Sequence, residues 1–137
     1  MNSLNSKKHL ILVDGSGFIF RAYHALPPLT KSDGTPTGAV SGYCNMLFKL
    51  INELKEFEAT HIAVVFDHKD KTFRSNIYPD YKANRPPPPD DLVPQFQLIR
   101  DATEAFGFLA IDKKGYEADD IIATLAKNAT DEGAIVT

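Results

Sequence analysis

Two apolar runs, each ending at or next to an aspartate, restrict the folds that this chain can adopt. The runs are HLILVDG, residues 9–15, and HIAVVFD, residues 61–67. Continuous apolar stretches of this length are typical of strands that are buried on both faces of a parallel sheet. The sequence therefore predicts an α/β fold with a mostly parallel sheet flanked by helices. Asp14 and Asp67 would then lie at the carboxyl ends of their strands, where ligands bind in such folds.

Helical and extended segments alternate along the rest of the chain. Apolar residues from Val40 to Leu54 recur at helical spacing. Residues LPPLTKSDGTPTG, just before them, are rich in turn formers. The further predicted elements are a helix over 38–57, a helix over 92–106 ended by Gly107, a strand over 108–111, a helix over 116–133 and a strand in AIVT at 134–137.

Composition indicates one globular domain. Of the 137 residues, 43% are apolar and 24% charged, which is ordinary for a globular protein. No segment reaches the roughly 18 consecutive apolar residues that a membrane helix requires, so we expect a cytoplasmic protein without a membrane partner. The single cysteine, Cys44, lies in an apolar helical pattern, and we give it no catalytic role. The chain stops inside an apolar run, so we expect a partial domain over 1–137.

Three acids in GYEADD, residues 115–120, open the last predicted helix. The helix dipole accounts for one or two of them, and a single strand-end aspartate is often only a helix cap. Together, however, these carboxylates would meet at one edge and repel each other unless a cation lay among them. Oxygen ligands without cysteine or suitably spaced histidine favour Mg²⁺ or Mn²⁺ over Zn²⁺. The predicted metal ligands are Asp14, Asp67, Glu117, Asp119 and Asp120.

Hard divalent ions at such an edge commonly serve phosphoryl transfer, so a phosphate-bearing substrate is expected. The four histidines are scattered, and we interpret them as structural or solvated. The formal net charge is −3. If a metal neutralised the five acids, basic residues would outnumber the remaining acidic ones.

A basic and aromatic segment, FRSNIYPDYKANRPPPPDD, follows the second strand at residues 73–91. Its cations can meet phosphates and its tyrosines can stack on bases, although a solvated surface helix would show the same pattern. In a helix, Arg74, Tyr78, Tyr81 and Arg85 would share one side. The four prolines end the helix and favour extended backbone. The segment, preceded by Lys69 and Lys71 and including Lys82, therefore suits one nucleic acid strand.

Four motifs, in this order and at these separations, resemble the N-terminal 5′ nuclease domain of bacterial DNA polymerase I, a member of the flap endonuclease class. They are LILVDGSGFIFRAYHAL, VVFD, FRSNIYPDYKANRPPPPDDL and GYEADDIIATLA. The resemblance implies a PIN-like or resolvase-like fold with a helical arch at about residues 70–92. It implies a magnesium-dependent hydrolase that removes 5′ flaps and RNA primers from DNA in replication and repair.

The same resemblance assigns roles to single residues. The five acids match metal ligands, and Arg74 and Lys82 match catalytic residues at the scissile phosphate. The DNA-binding residues that the resemblance implies are Arg21, Arg74, Tyr81, Lys82 and Arg85, and Tyr78 joins them because its ring can stack on bases. In this family further aspartates and a helix-hairpin-helix element follow the strand that matches AIVT, so we expect this chain to be weakly active or inactive alone. An unfinished fourth strand would also expose a sheet edge for self-association.

Three other functions fit parts of the pattern. A PIN-like ribonuclease has similar acids but does not explain the arch motif. A non-catalytic module that binds single-stranded DNA would keep its affinity after replacement of Asp14 or Asp67. A phosphoaspartyl hydrolase is excluded because its motif needs a second aspartate where this chain has Ser16.

Overall fold

Four parallel strands and four helices form the part of the chain that is described. The computed structural model describes residues 8–25, 29–68 and 89–137. The strands are β1 (His9–Asp14), β2 (His61–Val65), β3 (Leu109–Ile111) and β4 (Ile135–Val136). The helices are α1 (Gly15–Ala25), α2 (Gly38–Glu56), α3 (Gln95–Ala105) and α4 (Ala118–Asp131). The predicted α/β class is confirmed.

The strand order in the sheet is β3-β2-β1-β4, with β1 and β2 at the centre. All three pairings are parallel. Asp14 lies opposite Val65, and Val65 lies opposite Ile111, so the three longer strands end at the same level. Residues that follow these strand ends therefore collect at one edge, which we call the carboxyl edge.

The main core lies on one face of this sheet. Ile11 and Val13 of β1 and Val64 of β2 pack with Tyr43 and Leu47 of α2, and the two α2 side chains have no exposed surface. The Tyr43 hydroxyl lies 2.6 Å from Thr103 Oγ1 of α3, which itself donates to the Ile99 carbonyl. Burial raises the pKa of Tyr43 to about 12, so this side chain stays a neutral hydrogen-bond donor.

The other face is less well covered than the apolar runs predicted. Leu10 and Leu12 of β1 are only half-buried. Helix α4 contacts β1 and β2, but the members of its apolar stripe after Ala118 are only half-buried, namely Ile121, Ile122, Leu125, Ala126 and Ala129. The expectation of a β1 strand fully buried on both faces was therefore wrong for its second face.

Helix α1 was not predicted, because its sequence GSGFIFRAYHA combines glycines and aromatic residues of low helix propensity. Tertiary packing explains why it forms. A Cβ at Gly15 would lie 2.6 Å from the Phe66 ring, so only glycine allows this close approach to the sheet. Gly42 of α2 similarly lies against Ala22, which holds the two helices close together. Ile19 and Ala22 are buried there.

The other predicted elements are confirmed with small shifts at their ends. Gly107 and Gly133 follow α3 and α4 with φ values of +86° and +90°, the left-handed conformation that glycine adopts after a helix. Residues 69–88, which hold most of the predicted arch, lie outside the described part of the chain. Among the helices that are described, none is long and apolar enough to cross a membrane.

Candidate active site

Two of the predicted metal ligands lie on neighbouring central strands. Asp14 is the last residue of β1, and Asp67 follows the end of β2 by two residues. Both side chains are exposed at the carboxyl edge. The backbone N–H of Gly17 donates to Asp14 Oδ1 at 3.0 Å, so the first turn of α1 holds this carboxylate.

The acidic segment before α4 reaches the same edge. The backbone N–H of Ala118 donates to Asp67 Oδ1 at 2.7 Å. This N–H is one of the first four in a helix, which lack an intrahelical acceptor. This hydrogen bond links the end of β2 to the start of α4. Glu117 directly precedes Ala118 in the chain and so lies at the same junction.

Glu117 and Asp120 stabilise the start of α4 as a capping box. Glu117 is the N-cap residue and is 4% exposed, and its backbone N–H donates to Asp120 Oδ2 at 3.1 Å. Asp119 is exposed in the first turn. Glu117 and Asp120 therefore have a structural role at the start of α4, as the helix-cap interpretation expects.

Asp14 and Asp67 lie at the carboxyl edge, and Glu117, Asp119 and Asp120 lie at the start of α4, which contacts Asp67 through Ala118. Across residues 8–25, 29–68 and 89–137, no group of three or more His, Cys, Asp or Glu side chains is arranged to hold a metal ion. Each of the five nevertheless offers carboxylate oxygens, the donors that Mg²⁺ and Mn²⁺ prefer. The chemical type of these donor atoms therefore suits a hard divalent cation. Which of the five residues bind it stays a prediction.

A cavity of about 550 Å³ opens beside Asp67. Phe20, Phe66 and Phe96 form its aromatic wall, and Ser16 and Asp67 line it on the side of the acidic edge. Its volume lies within the roughly 300–1,000 Å³ of cavities that take small ligands. It extends the candidate site from the carboxylates towards α3.

An ion-pair network at the far side of this cavity was missed by the sequence analysis. Arg100 of α3 binds Asp112 with both terminal nitrogens, at 3.0 and 3.2 Å, and its guanidinium lies 5.2 Å from the centre of the Phe66 ring. His68 Nε2 lies 3.9 Å from Asp112 Oδ2. The sequence held a signal for Asp112, because this aspartate comes just after the third strand, much as Asp67 comes shortly after the second.

Replacing Asp112 with asparagine should lower stability at neutral pH and change its dependence on acid. The hydrogen bonds from Arg100 hold the pKa of Asp112 below its ordinary value of 3.8. A carboxyl group with a lowered pKa stabilises the folded state above its unfolded pKa, and this stabilisation is lost as the pH falls through the folded pKa. The difference between wild type and Asp112→Asn should therefore be full at pH 6–7 and shrink below about pH 4. Urea unfolding at several pH values measures it, and a pH-independent difference would contradict the assignment.

The predicted DNA-binding residues are only partly described. Arg21 is exposed on α1, and its guanidinium lies 5.7 Å from the centre of the Phe18 ring. Arg74, Tyr78, Tyr81, Lys82 and Arg85 lie outside the described residues. Their roles stay predictions.

The fold and the edge define a class of protein, a parallel α/β domain whose acids collect beyond the carboxyl ends of the central strands. The family described as 5'-3' exonuclease, N-terminal resolvase-like domain matches residues 9–137. The chain belongs to this family, which confirms the resemblance seen in the motifs.

Individual relatives agree with this assignment. DNA polymerase I of Rhizobium leguminosarum is 60% identical over a match of 134 residues that covers 94% of this chain and 13% of that protein. The 5'-3' exonuclease of Aquifex aeolicus is 44% identical over 126 residues, 92% of this chain and 43% of that protein. This chain therefore spans a minor part of the curated relatives that it matches.

Solved structures show the same fold. The T5 5'-exonuclease with bound divalent zinc ions matches with a TM-score of 0.58 and 26% identity, over 88% of this chain and 44% of that one. The T5 D15 protein co-crystallised with metal ions matches over the same shares with a TM-score of 0.60 and 27% identity.

Proposed function

We propose that this chain is the N-terminal part of a divalent-metal-dependent 5′-3′ exonuclease and flap endonuclease that hydrolyses phosphodiester bonds of DNA. The observation that carries the proposal is the link between acids on three segments. Asp14 ends β1, Asp67 follows β2, and the carboxylate of Asp67 accepts a hydrogen bond from the first residue of α4, next to Glu117. The family match over residues 9–137 supports the reaction class.

The carboxyl edge would hold the metal. The residues proposed as ligands are Asp14, Asp67, Glu117, Asp119 and Asp120, with Mg²⁺ or Mn²⁺ as the ion. A divalent cation there would activate water and stabilise the leaving oxygen. The chain's own contribution is to hold charged carboxylates at fixed places through helix N–H groups, as Gly17 does for Asp14 and Ala118 for Asp67.

The substrate would be DNA with a 5′ single-stranded flap or an RNA-DNA primer junction. The proposed contacts to the strand are Arg21, Arg74, Tyr78, Tyr81, Lys82 and Arg85, with Arg74 and Lys82 at the scissile phosphate. Cleavage by this chain alone would be slow or absent, and the protein would be located in the bacterial cytoplasm. The proposal includes self-association at the outer edge of β4, which pairs with β1 at one side of the described sheet.

The replacement Lys82→Ala tests the arch assignment. A lysine that contacts the reacting phosphate stabilises charge in the transition state, and losing one such donor costs about 10²–10³ in rate. We therefore expect single-turnover cleavage of a 5′-flap DNA to fall by about 10²-fold with little change in the thermal midpoint. The control is Lys49→Ala, an exposed lysine of α2. Equal rates in the two variants would contradict the assignment.

A further inference from the structure

Asp67 is held at two atoms by two different helices. Its carboxylate accepts from Ala118 N–H of α4 at 2.7 Å. Its backbone N–H donates to the Ser16 hydroxyl oxygen of α1 at 2.9 Å. The sheet does not supply this second bond, because β2 ends at Val65 and Phe66 N–H makes the last backbone hydrogen bond to β3, at the Ile111 carbonyl.

The turn that carries Ser16 also holds Asp14. Ser16 follows Asp14 by two residues, and the next residue, Gly17, donates its N–H to Asp14 Oδ1. A Cβ at Gly17 would lie 2.8 Å from Asp14 Oδ2, so this carboxylate lies directly against the turn. One turn of α1 therefore contacts both strand-end aspartates.

We propose that Ser16 is a positioning residue that fixes Asp67 relative to Asp14 for metal binding. This inference rests on the proposed function. Groups that orient a metal ligand without touching the metal typically change metal affinity or activity by about 10–100-fold when they are removed. Ser16 is placed to orient a ligand in this way. Its hydroxyl oxygen accepts a hydrogen bond from the backbone of Asp67, and it lies in the turn that holds Asp14.

The local space predicts which replacements keep the function. Ser16 lines the cavity of about 550 Å³ beside Asp67, and we expect this cavity to take the added methyl group of threonine. Threonine keeps the hydroxyl oxygen that accepts the Asp67 N–H, whereas alanine removes it. Ser16→Thr should therefore resemble the wild type, and Ser16→Ala should not.

The experiment compares Ser16→Ala, Ser16→Thr and the control Ser41→Ala, an exposed serine of α2. Mn²⁺ binding is measured by electron paramagnetic resonance, and exchange of the Asp67 amide hydrogen by nuclear magnetic resonance. In Ser16→Ala we expect the Kd for Mn²⁺ to rise about tenfold and the Asp67 amide to exchange faster. With 5′-flap DNA, kcat should fall while KM stays unchanged.

The outcomes separate this inference from the function on which it rests. If Asp67→Ala abolishes Mn²⁺ binding but Ser16→Ala behaves like Ser41→Ala, the inference fails and the proposed function stands. A tenfold effect in Ser16→Thr would also overturn it, because the acceptor oxygen is retained. If the wild type binds no Mn²⁺, the proposed function and the inference both fail.

Discussion

Replacing Asp67 with asparagine should remove most of the Mn²⁺ binding of this protein and all of its metal-dependent cleavage. Asparagine has nearly the same shape and keeps an oxygen that can accept the Ala118 N–H. It lacks the negative charge by which a carboxylate binds a hard divalent cation more tightly than a neutral amide oxygen does. We expect the Kd for Mn²⁺ to rise by about 100-fold or more, which exceeds the effect of removing an orienting group.

The pair Asp67→Asn and Asp67→Ala distinguishes the metal role from the structural one. Alanine also removes the acceptor at the start of α4, and losing a helix cap costs about 0.5–2 kcal/mol. Both variants should lose Mn²⁺, and only Asp67→Ala should lose this much stability in urea unfolding. Asp131→Asn, at the other end of α4, controls for loss of an exposed carboxylate. Unchanged Mn²⁺ affinity in Asp67→Asn would contradict the assignment of Asp67 as a ligand.

Replacing Leu47 with alanine should cause a large loss of stability. Leu47 has no exposed surface and belongs to the core that joins α2 to β1, β2 and α3. Truncating a buried leucine costs about 2–5 kcal/mol, because the cavity left behind closes only partly. This is a large share of the roughly 5–15 kcal/mol that stabilises an ordinary domain.

The matched control for Leu47→Ala is Leu109→Ala, because Leu109 on the edge strand β3 is 61% exposed. Urea unfolding should show a lower midpoint for Leu47→Ala and a change below about 0.5 kcal/mol for Leu109→Ala. Similar losses in the two variants would contradict the placement of the core on the α2 face of the sheet.

Periodicity and turn chemistry predicted most of this fold. The apolar runs gave β1 and β2, and the spacing from Val40 to Leu54 gave α2 nearly to its ends. Helix α1 was missed because its stability comes from contacts distant in sequence, such as Gly15 against Phe66. The first apolar run was predicted to be buried on both faces, but Leu12 is only half-buried, because periodicity does not report how well a helix covers a sheet face.

The candidate site shows the same limit. Strand ends placed Asp14 and Asp67 at one edge, because parallel strands end together. The bonds that position these acids involve backbone N–H groups and a serine hydroxyl, which have no sequence pattern of their own. From the sequence, Ser16 indicates only that the second aspartate of a phosphoaspartyl motif is absent. Arg100 and Asp112 form an ion pair although they are 12 positions apart in the sequence, so only the fold shows that they meet.

Cleavage of a 5′-flap DNA tests the central claim most directly. The flap strand carries a label, the protein is in excess over DNA, Mn²⁺ is present, and Asp67→Asn runs beside the wild type. We expect at most slow cleavage near the base of the flap by the wild type, and no cleavage by Asp67→Asn or after addition of a chelator. Cleavage that persists in Asp67→Asn would contradict this expectation.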